Sequence, residues 1–209
     1  MTDQLANQHN IWNDKSVDDY VSRWGELPLH EHIPQLCQIK PSDTVLDIGC
    51  GSGAAVRAIA NILSTGSVVG IDPTPRMLTL AKELTPKETL QNNASFVDGG
   101  AEKIPLADAS CDVIIAVNTL HHWQDIDMSF AEVKRVLKPR GRFISIDDIW
   151  EEMMAHPMGD VCELTVSDTY DLKSTKDIMQ LLQDKGFQQM SCEFHRRPDL
   201  EASVIIAHL

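Results

Sequence analysis

The feature that most restricts this fold is a glycine-rich turn set between a strand pattern and a helix pattern. The run Thr44-Val-Leu-Asp-Ile48 is short and nearly all apolar, as expected of a strand buried on both faces of a parallel sheet. It leads into Asp47-Ile-Gly49-Cys-Gly51-Ser-Gly53. Ala54 to Leu63 then carries Val56, Ile59, Ala60 and Leu63 at helical spacing. Glycines let the backbone turn sharply and approach a ligand closely, and the helix that follows aims free N–H groups at it. A second buried strand, Val68 to Ile71, ends at Asp72, 19 residues beyond Gly53. An acid there accepts hydrogen bonds from ribose hydroxyls. Dinucleotide-binding turns follow G-x-G-x-x-G, with a pyrophosphate on the helix N-terminus. Here the pattern is G-x-G-x-G with Asp47 ahead of it. The extra carboxylate suits an ammonium or a sulfonium better than a pyrophosphate, which points away from NAD.

Alternation continues along the chain. Pro75 to Leu84 reads as a helix, Ala94 to Val97 and Cys111 to Val117 as strands, Ile126 to Leu137 as a helix and Arg142 to Ile146 as a strand. This order predicts an α/β fold with helices on both faces of a mostly parallel sheet, joined by right-handed crossovers. The tail differs. A helix from Ser174 to Lys185 ends at Gly186, and two strands follow directly, Gln188 to His195 and Ala202 to Ala207, around a turn with Pro198. Adjacent strands with no helix between them form a hairpin, so one runs antiparallel. Ahead of the glycine turn, Ser16 is expected to cap a helix presenting Val17, Tyr20, Val21 and Trp24, and Leu29, Ile33 and Leu36 mark a second one.

With 209 residues the chain is long for one domain and short for two. Its net charge of −13 repels phosphate backbones and argues against a nucleic-acid partner. Met1 to Asn10 has no basic, then apolar, leader pattern, and no apolar run reaches bilayer-spanning length, so membrane insertion is not expected. The five cysteines (Cys37, Cys50, Cys111, Cys162, Cys192) are scattered, with no C-x-x-C pair. That favours a reducing, cytoplasmic location over a disulfide framework or a zinc site.

Several segments resemble the class I S-adenosylmethionine-dependent methyltransferases, in particular the small-molecule enzymes of the ubiquinone and menaquinone biosynthesis type. Val45 to Gly53 is similar to the motif that cradles the methionine part of the cofactor, and Val69-Gly-Ile-Asp72 to the motif that holds the ribose. Gly99-Gly-Ala-Glu102-Lys-Ile-Pro105 resembles the segment that meets the adenine, Asp112 to Trp123 the floor beneath the reactive methyl, and Leu137-Lys-Pro-Arg140-Gly141 the turn before the fifth strand. The resemblance implies a Rossmann-like seven-stranded sheet whose last strand is antiparallel, S-adenosylmethionine as cofactor, and methyl transfer to a small-molecule acceptor. It implies cofactor contacts at Asp47, Gly49, Cys50, Gly51, Gly53, Asp72, Pro73, Met77, Gly100, Ala101, Glu102 and Asn118, with Tyr20 and Arg23 reaching over from an N-terminal lid. It divides one domain, 1–209, into lid helices (1–40), a cofactor-binding core (41–148), an acceptor-specificity segment (149–173) and a C-terminal helix and hairpin (174–209). The chain departs from the family pattern at Gly100, where an acid is usual, leaving backbone groups or a neighbour such as Asp98 or Glu102 to serve the adenine, and at Arg140, where a glycine is common.

Methyl transfer from a sulfonium is an in-line displacement, so the protein mainly positions the acceptor and excludes water. A base is needed only when the nucleophile carries a proton. His121 and His122 follow the fourth strand at the ligand end of the sheet, and His122 is the first choice for that role; both can equally pack the following helix. Asp147 and Asp148, with Asn118 and His156, could hold Mg²⁺, but solvated or capping carboxylates account for them and no metal is expected. Met153, Met154, Met158 and Trp150 suit an adaptable apolar acceptor pocket. Among rivals, an NAD oxidoreductase lacks its glycine spacing, and Tyr170 and Lys173 are one residue too close for a Tyr-x-x-x-Lys pair. A non-catalytic cofactor-binding protein rests on Gly100 alone. Base or glutamine methylation lacks an Asn/Asp-Pro-Pro-Tyr/Phe stretch.

Overall fold

Strand β1 (Thr44–Ile48) carries its burial on both sides, and the alternation of its residues decides which side each serves. In a computed structural model that describes residues 12–147, 174–198 and 200–209, Leu46 and Ile48 pack into one core while Val45 packs into the other. Successive strand residues point to opposite faces, so a nearly continuous apolar strand demands a cover of helices on each. The first core joins β1 to α6 (Ile126–Val136) and α7 (Thr175–Asp184) around Phe130, Phe143 and Phe187. The second joins it to α2 (Pro28–Leu36), α3 (Ala54–Ala60) and α4 (Pro75–Leu84) around Ile33, Val56 and Ile59.

The remaining strands are β2 (Ser67–Asp72), β3 (Ala94–Asp98), β4 (Cys111–Val117), β5 (Leu137–Asp147), β6 (Gln188–Arg197) and β7 (Leu200–His208). Their order across the seven-stranded sheet is β3-β2-β1-β4-β5-β7-β6. The first five are parallel neighbours, and β7 enters antiparallel between β5 and β6. The Rossmann-like sheet with its antiparallel last strand therefore stands as expected.

Local boundaries shift for physical reasons. Helix α1 (Asp14–Trp24) is capped by Asn13, whose side chain accepts the N–H of Ser16, so Ser16 lies inside the helix rather than at its cap. Helix α3 ends at Ala60, three residues early, where Asn93 donates to the carbonyls of Ala60 and Leu63. A short helix, α5 (Lys87–Asn92), adds to the pattern read from sequence. Strand β5 begins at Leu137 rather than Arg142, because Leu137 already pairs with Cys111. The register then shifts before Val113 meets Arg142, and the extra residues bulge out with Arg140 at a left-handed φ of 68°.

Strand order reverses its sense between β1 and β4. The connection after β1 runs to α3 on one face and that after β4 to α6 on the other. The divergence leaves a crevice at the carboxyl ends of these strands, where open α/β sheets hold ligands.

Candidate active site

A cavity of about 490 Å³ opens at that crevice, within the range of small-molecule sites. Its wall is built from the ends of four parallel strands. Ile48, Gly49 and Gly51 follow β1, Asp72 to Pro75 and Met77 follow β2, Asp98 to Glu102 follow β3, and Val117 to Thr119 with His122 to Gln124 follow β4. Trp12 and Tyr20 complete it from the N-terminal segment.

The glycine turn is shaped by what presses on it. Gly49 has φ 72°, and a Cβ there would stand 2.2 Å from the Thr119 hydroxyl, so only glycine admits the close approach of the β4 loop. Gly53 caps α3 at φ 82° with the Phe96 ring against it. The amides of Gly49 and Cys50 both donate to the Ile71 carbonyl, and that of Gly51 to Oδ2 of Asp72 at 3.0 Å. The Thr74 amide donates to the other oxygen of Asp72 at 2.8 Å. The carboxylate that ends β2 is thus held by two backbone donors, with lone pairs left for a ligand. Burial pushes its carboxyl above the ordinary range against the pull of these two amides, and Asp98 alongside adds to the rise.

Asp47 lies behind the turn, outside the cavity lining, almost wholly buried, and its Oδ1 has no hydrogen-bond partner among the described residues. Burial, then the charge of Asp72, raises its carboxyl well above the ordinary value. Cys50, Gly53, Arg23 and His121 also lie outside the lining. Cys50 packs on Gly70, and Arg23 is exposed on α1. Tyr20, Gly49, Gly51, Asp72, Pro73, Met77, Gly100, Ala101, Glu102, Asn118 and His122 are on the wall.

At the departure from the family pattern the structure brings a carboxylate back. Oε2 of Glu102 lies 3.3 Å from the point where a side chain at position 100 would begin. Oε1 accepts the amides of Gln124 at 2.9 Å and Asp125 at 3.4 Å, tying the segment after β3 to the loop after β4.

Asn118 follows β4 with φ 49°, a left-handed position that asparagine tolerates, and its amide donates to the carbonyl of Ile146 at 2.8 Å. The turn Leu120–His122 then sets two imidazoles side by side, ring centroids 4.1 Å apart. His122 meets Trp12 edge-on at 6.3 Å, and Trp12 in turn meets Tyr20 at 5.0 Å. Burial, and then His121, lowers the His122 imidazole to about 3, so it is neutral at ordinary pH. Helix α1 is fastened beside the cavity by Asp18 with Arg76 at 2.9 Å and by the Trp12 amide on Thr74 Oγ1 at 3.5 Å.

Thr74 and Gln124 carry no motif signal and reach the wall only through the fold. Asp148, His156 and the apolar residues of 149–173 lie outside the described residues. Among the described residues no group of three His, Cys, Asp or Glu side chains is placed to hold a metal, and no helix is long and apolar enough to cross a membrane.

Comparison with known proteins agrees with this geometry. Residues 46–145 match the family described as a methyltransferase domain. Cycloartenol-C-24-methyltransferase 1 of Oryza sativa subsp. japonica is 31% identical over 183 residues, 85% of this chain and 51% of that protein. The 2-phytyl-1,4-naphtoquinone methyltransferase of a Nostoc species is 31% identical over 141 residues, 67% of this chain and 54% of that protein. The chain spans about half the length of the curated relatives it matches. In fold it is similar to a SAM-dependent methyltransferase from Aquifex aeolicus, with a TM-score of 0.71, 22% identity, and coverage of 94% of this chain and 98% of that one. With the motif residues gathered at one crevice and the match to a methyltransferase domain running from β1 into β5, the chain is similar in sequence to methyltransferases and shares the fold of a SAM-dependent one.

Proposed function

We propose that this protein transfers the methyl group of S-adenosylmethionine to a small-molecule acceptor by in-line displacement. The observation that carries the reading is the charge of the cavity: among the described residues its formally charged lining groups are carboxylates, Asp72, Asp98 and Glu102, with no lysine or arginine. Such a wall favours a cationic ligand and opposes a pyrophosphate. The residues fit the cofactor. Asp72 keeps acceptor capacity for the ribose hydroxyls, the Gly49–Gly51 backbone is open to close approach, and Asp47 lies behind the turn with one oxygen that has no hydrogen-bond partner among the described residues. Met77, Gly100, Ala101 and Glu102 form the adenine side, with the Glu102 carboxylate in place of an acid at position 100. Cys50 and Gly53 shape the turn, and Tyr20 and Arg23 belong to the segment that covers it.

When bound, the cofactor supplies a methyl group already activated on a sulfonium. The protein's own share is to place the acceptor behind that methyl and keep water out. Asn118, His122 and Trp12 form the wall for that purpose, with His121 and His122 the candidate proton acceptors. The relatives named for a sterol and a naphthoquinone support an apolar small molecule as acceptor. The acidic charge supports a partner other than nucleic acid, and the scatter of the cysteines, with no C-x-x-C pair, supports a cytoplasmic location.

Calorimetric titration with S-adenosylmethionine, S-adenosylhomocysteine and NAD tests the reading. The expected result is micromolar binding of the first two and its loss in Asp72→Ala. Binding of NAD alone, or of none of the three, overturns it.

A further inference from the structure

Three aromatic rings meet on the wall of the cavity, and core packing does not account for them. Trp12 precedes α1, Tyr20 lies on α1, and His122 sits in the turn after β4; all three line the cavity. Among the described residues Trp12 is part of neither hydrophobic core, and it is only half-buried. Its amide donates to Oγ1 of Thr74, after β2, at 3.5 Å, while its ring meets His122, after β4. In the sheet β1 lies between β2 and β4. Trp12 therefore spans the crevice from one side of the glycine turn to the other. Helix α1 is pinned at both ends of that span. Asp18 pairs with Arg76 near its start, and past its end the Gly25 carbonyl accepts the Ser52 hydroxyl at 3.5 Å and Glu26 pairs with Arg57. The rings stand at right angles: Tyr20 at 90° to Trp12 with centroids 5.0 Å apart, and His122 at 88° with centroids 6.3 Å apart. The face of an aromatic ring is electrostatically negative, and several rings around one space are how aromatic cages hold quaternary cations.

We propose that Trp12, with Tyr20 and His122 set at right angles to it, recognises the positive charge on the cofactor's sulfur and so sets a preference for S-adenosylmethionine over S-adenosylhomocysteine. The inference rests on the methyl-transfer reading above. Asp72 and Glu102 serve the ribose and the adenine in that reading, and both molecules share those parts, so neither carboxylate separates them by direct contact. A ring face attracts the cation without setting a nucleophilic oxygen beside the transferable methyl. As the acceptor atom bonds to the methyl carbon, the carbon–sulfur bond breaks, its electron pair stays on sulfur, and sulfur becomes a neutral thioether. The rings then face no charge. They hold the loaded cofactor and loosen on the spent one, which favours exchange. The attraction fades as the charge leaves sulfur, so it acts on cofactor loading rather than on the rate of the chemical step.

The test is parallel calorimetric titration of the wild-type, Trp12→Leu and Trp12→Phe proteins with S-adenosylmethionine and S-adenosylhomocysteine. Leucine keeps apolar bulk and removes the ring face. Trp12→Leu should cut the preference for S-adenosylmethionine about tenfold, and Trp12→Phe should keep most of it. A residue that only packs the lid would weaken both ligands by one factor, so an unchanged ratio in Trp12→Leu overturns the inference. In that event tetramethylammonium that binds the wild-type complex with S-adenosylhomocysteine, and not the Trp12→Leu complex, assigns the rings to an acceptor's ammonium group instead. A wild-type protein that binds neither nucleoside overturns the methyl-transfer reading and this inference with it. The two failures are therefore read from different proteins.

Discussion

The two ends of the same sheet treat aspartate in opposite ways. At the amino end, Asp43 is buried against Arg142 at 3.2 Å, and Arg142 also donates to the carbonyls of Cys37 and Gln38. Asp112 accepts from Lys138 at 2.7 Å and from the Thr44 amide at 2.8 Å. At the carboxyl end, Asp47, Asp72 and Asp147 are as deeply buried, and among the described residues none has a lysine or arginine at ion-pair distance. The first arrangement fastens the chain: charge is matched locally and the strands are held in register. The second leaves carboxyl groups without a lysine or arginine partner in a low-dielectric crevice, which costs stability when they ionise and makes sense where a cation is to be bound. Buried carboxylates thus mark structure where they are paired and function where they are not.

The largest effect should come from unpairing the amino end. Arg142→Met leaves Asp43 buried without its cation and should cost about 3 kcal/mol of stability in urea unfolding, with cofactor affinity of the folded protein unchanged. A loss confined to affinity would break the contrast. At the other end, Asp72→Ala should weaken S-adenosylmethionine binding about 100-fold by calorimetry, the scale of losing charge-assisted hydrogen bonds to the ribose.

A smaller and more telling pair of variants separates the ends by pH. Burial raises the Asp47 carboxyl, so the folded state holds its proton more tightly than the unfolded chain does. Its cost therefore grows as pH rises from 3.8 through the raised folded value. Asp47→Asn should stabilise the protein at pH 7 by about 1 kcal/mol, a gain that shrinks as pH falls toward 3.8. Asp112 is the reverse. Burial pushes its carboxyl up, but the Lys138 and Thr44 contacts outweigh it and leave it below the ordinary value. Its contribution is present above 3.8 and is lost as pH falls through the folded value. Asp112→Asn should cost about 0.5 kcal/mol at pH 7, as expected of a partly exposed pair, and nothing in acid. Thermal melts of both variants across pH check the two signs, and equal signs would refute the comparison.

The smallest effect tests the β5 bulge. Arg140 occupies a left-handed conformation that glycine takes without strain. Arg140→Gly should therefore raise the melting temperature by about 2 °C, near 0.5–1 kcal/mol for a chain of this size.

Sequence alone carried the parts that depend on local pattern. The apolar run of β1, the glycines after it and Asp72 at the end of β2 announce a crevice, because strand, tight turn and acid must occur at those spacings for the backbone to approach a ligand. The hairpin of β6 and β7 follows from two strand patterns with no room for a helix between them. Side-chain environment was not legible in the same way. Asp47 and Asp72 look alike in the motif, yet one sits behind the turn and the other on the wall, because alternate residues of a strand face opposite ways and only the surrounding helices decide what each face meets. Gly100 reads as a missing acid until the fold swings Glu102 into the space beside it. His121 and His122 are adjacent letters, and nothing local says that one has Asp147 behind it and the other Trp12 in front. Asp147 is 26 residues further along the chain from His121, and the two approach because β4 and β5 are sheet neighbours. The sequence determined the fold and the cofactor-binding motifs through short-range periodicity and turn chemistry. Only tertiary structure decided which charges are matched, since desolvation and pairing depend on groups distant in the chain.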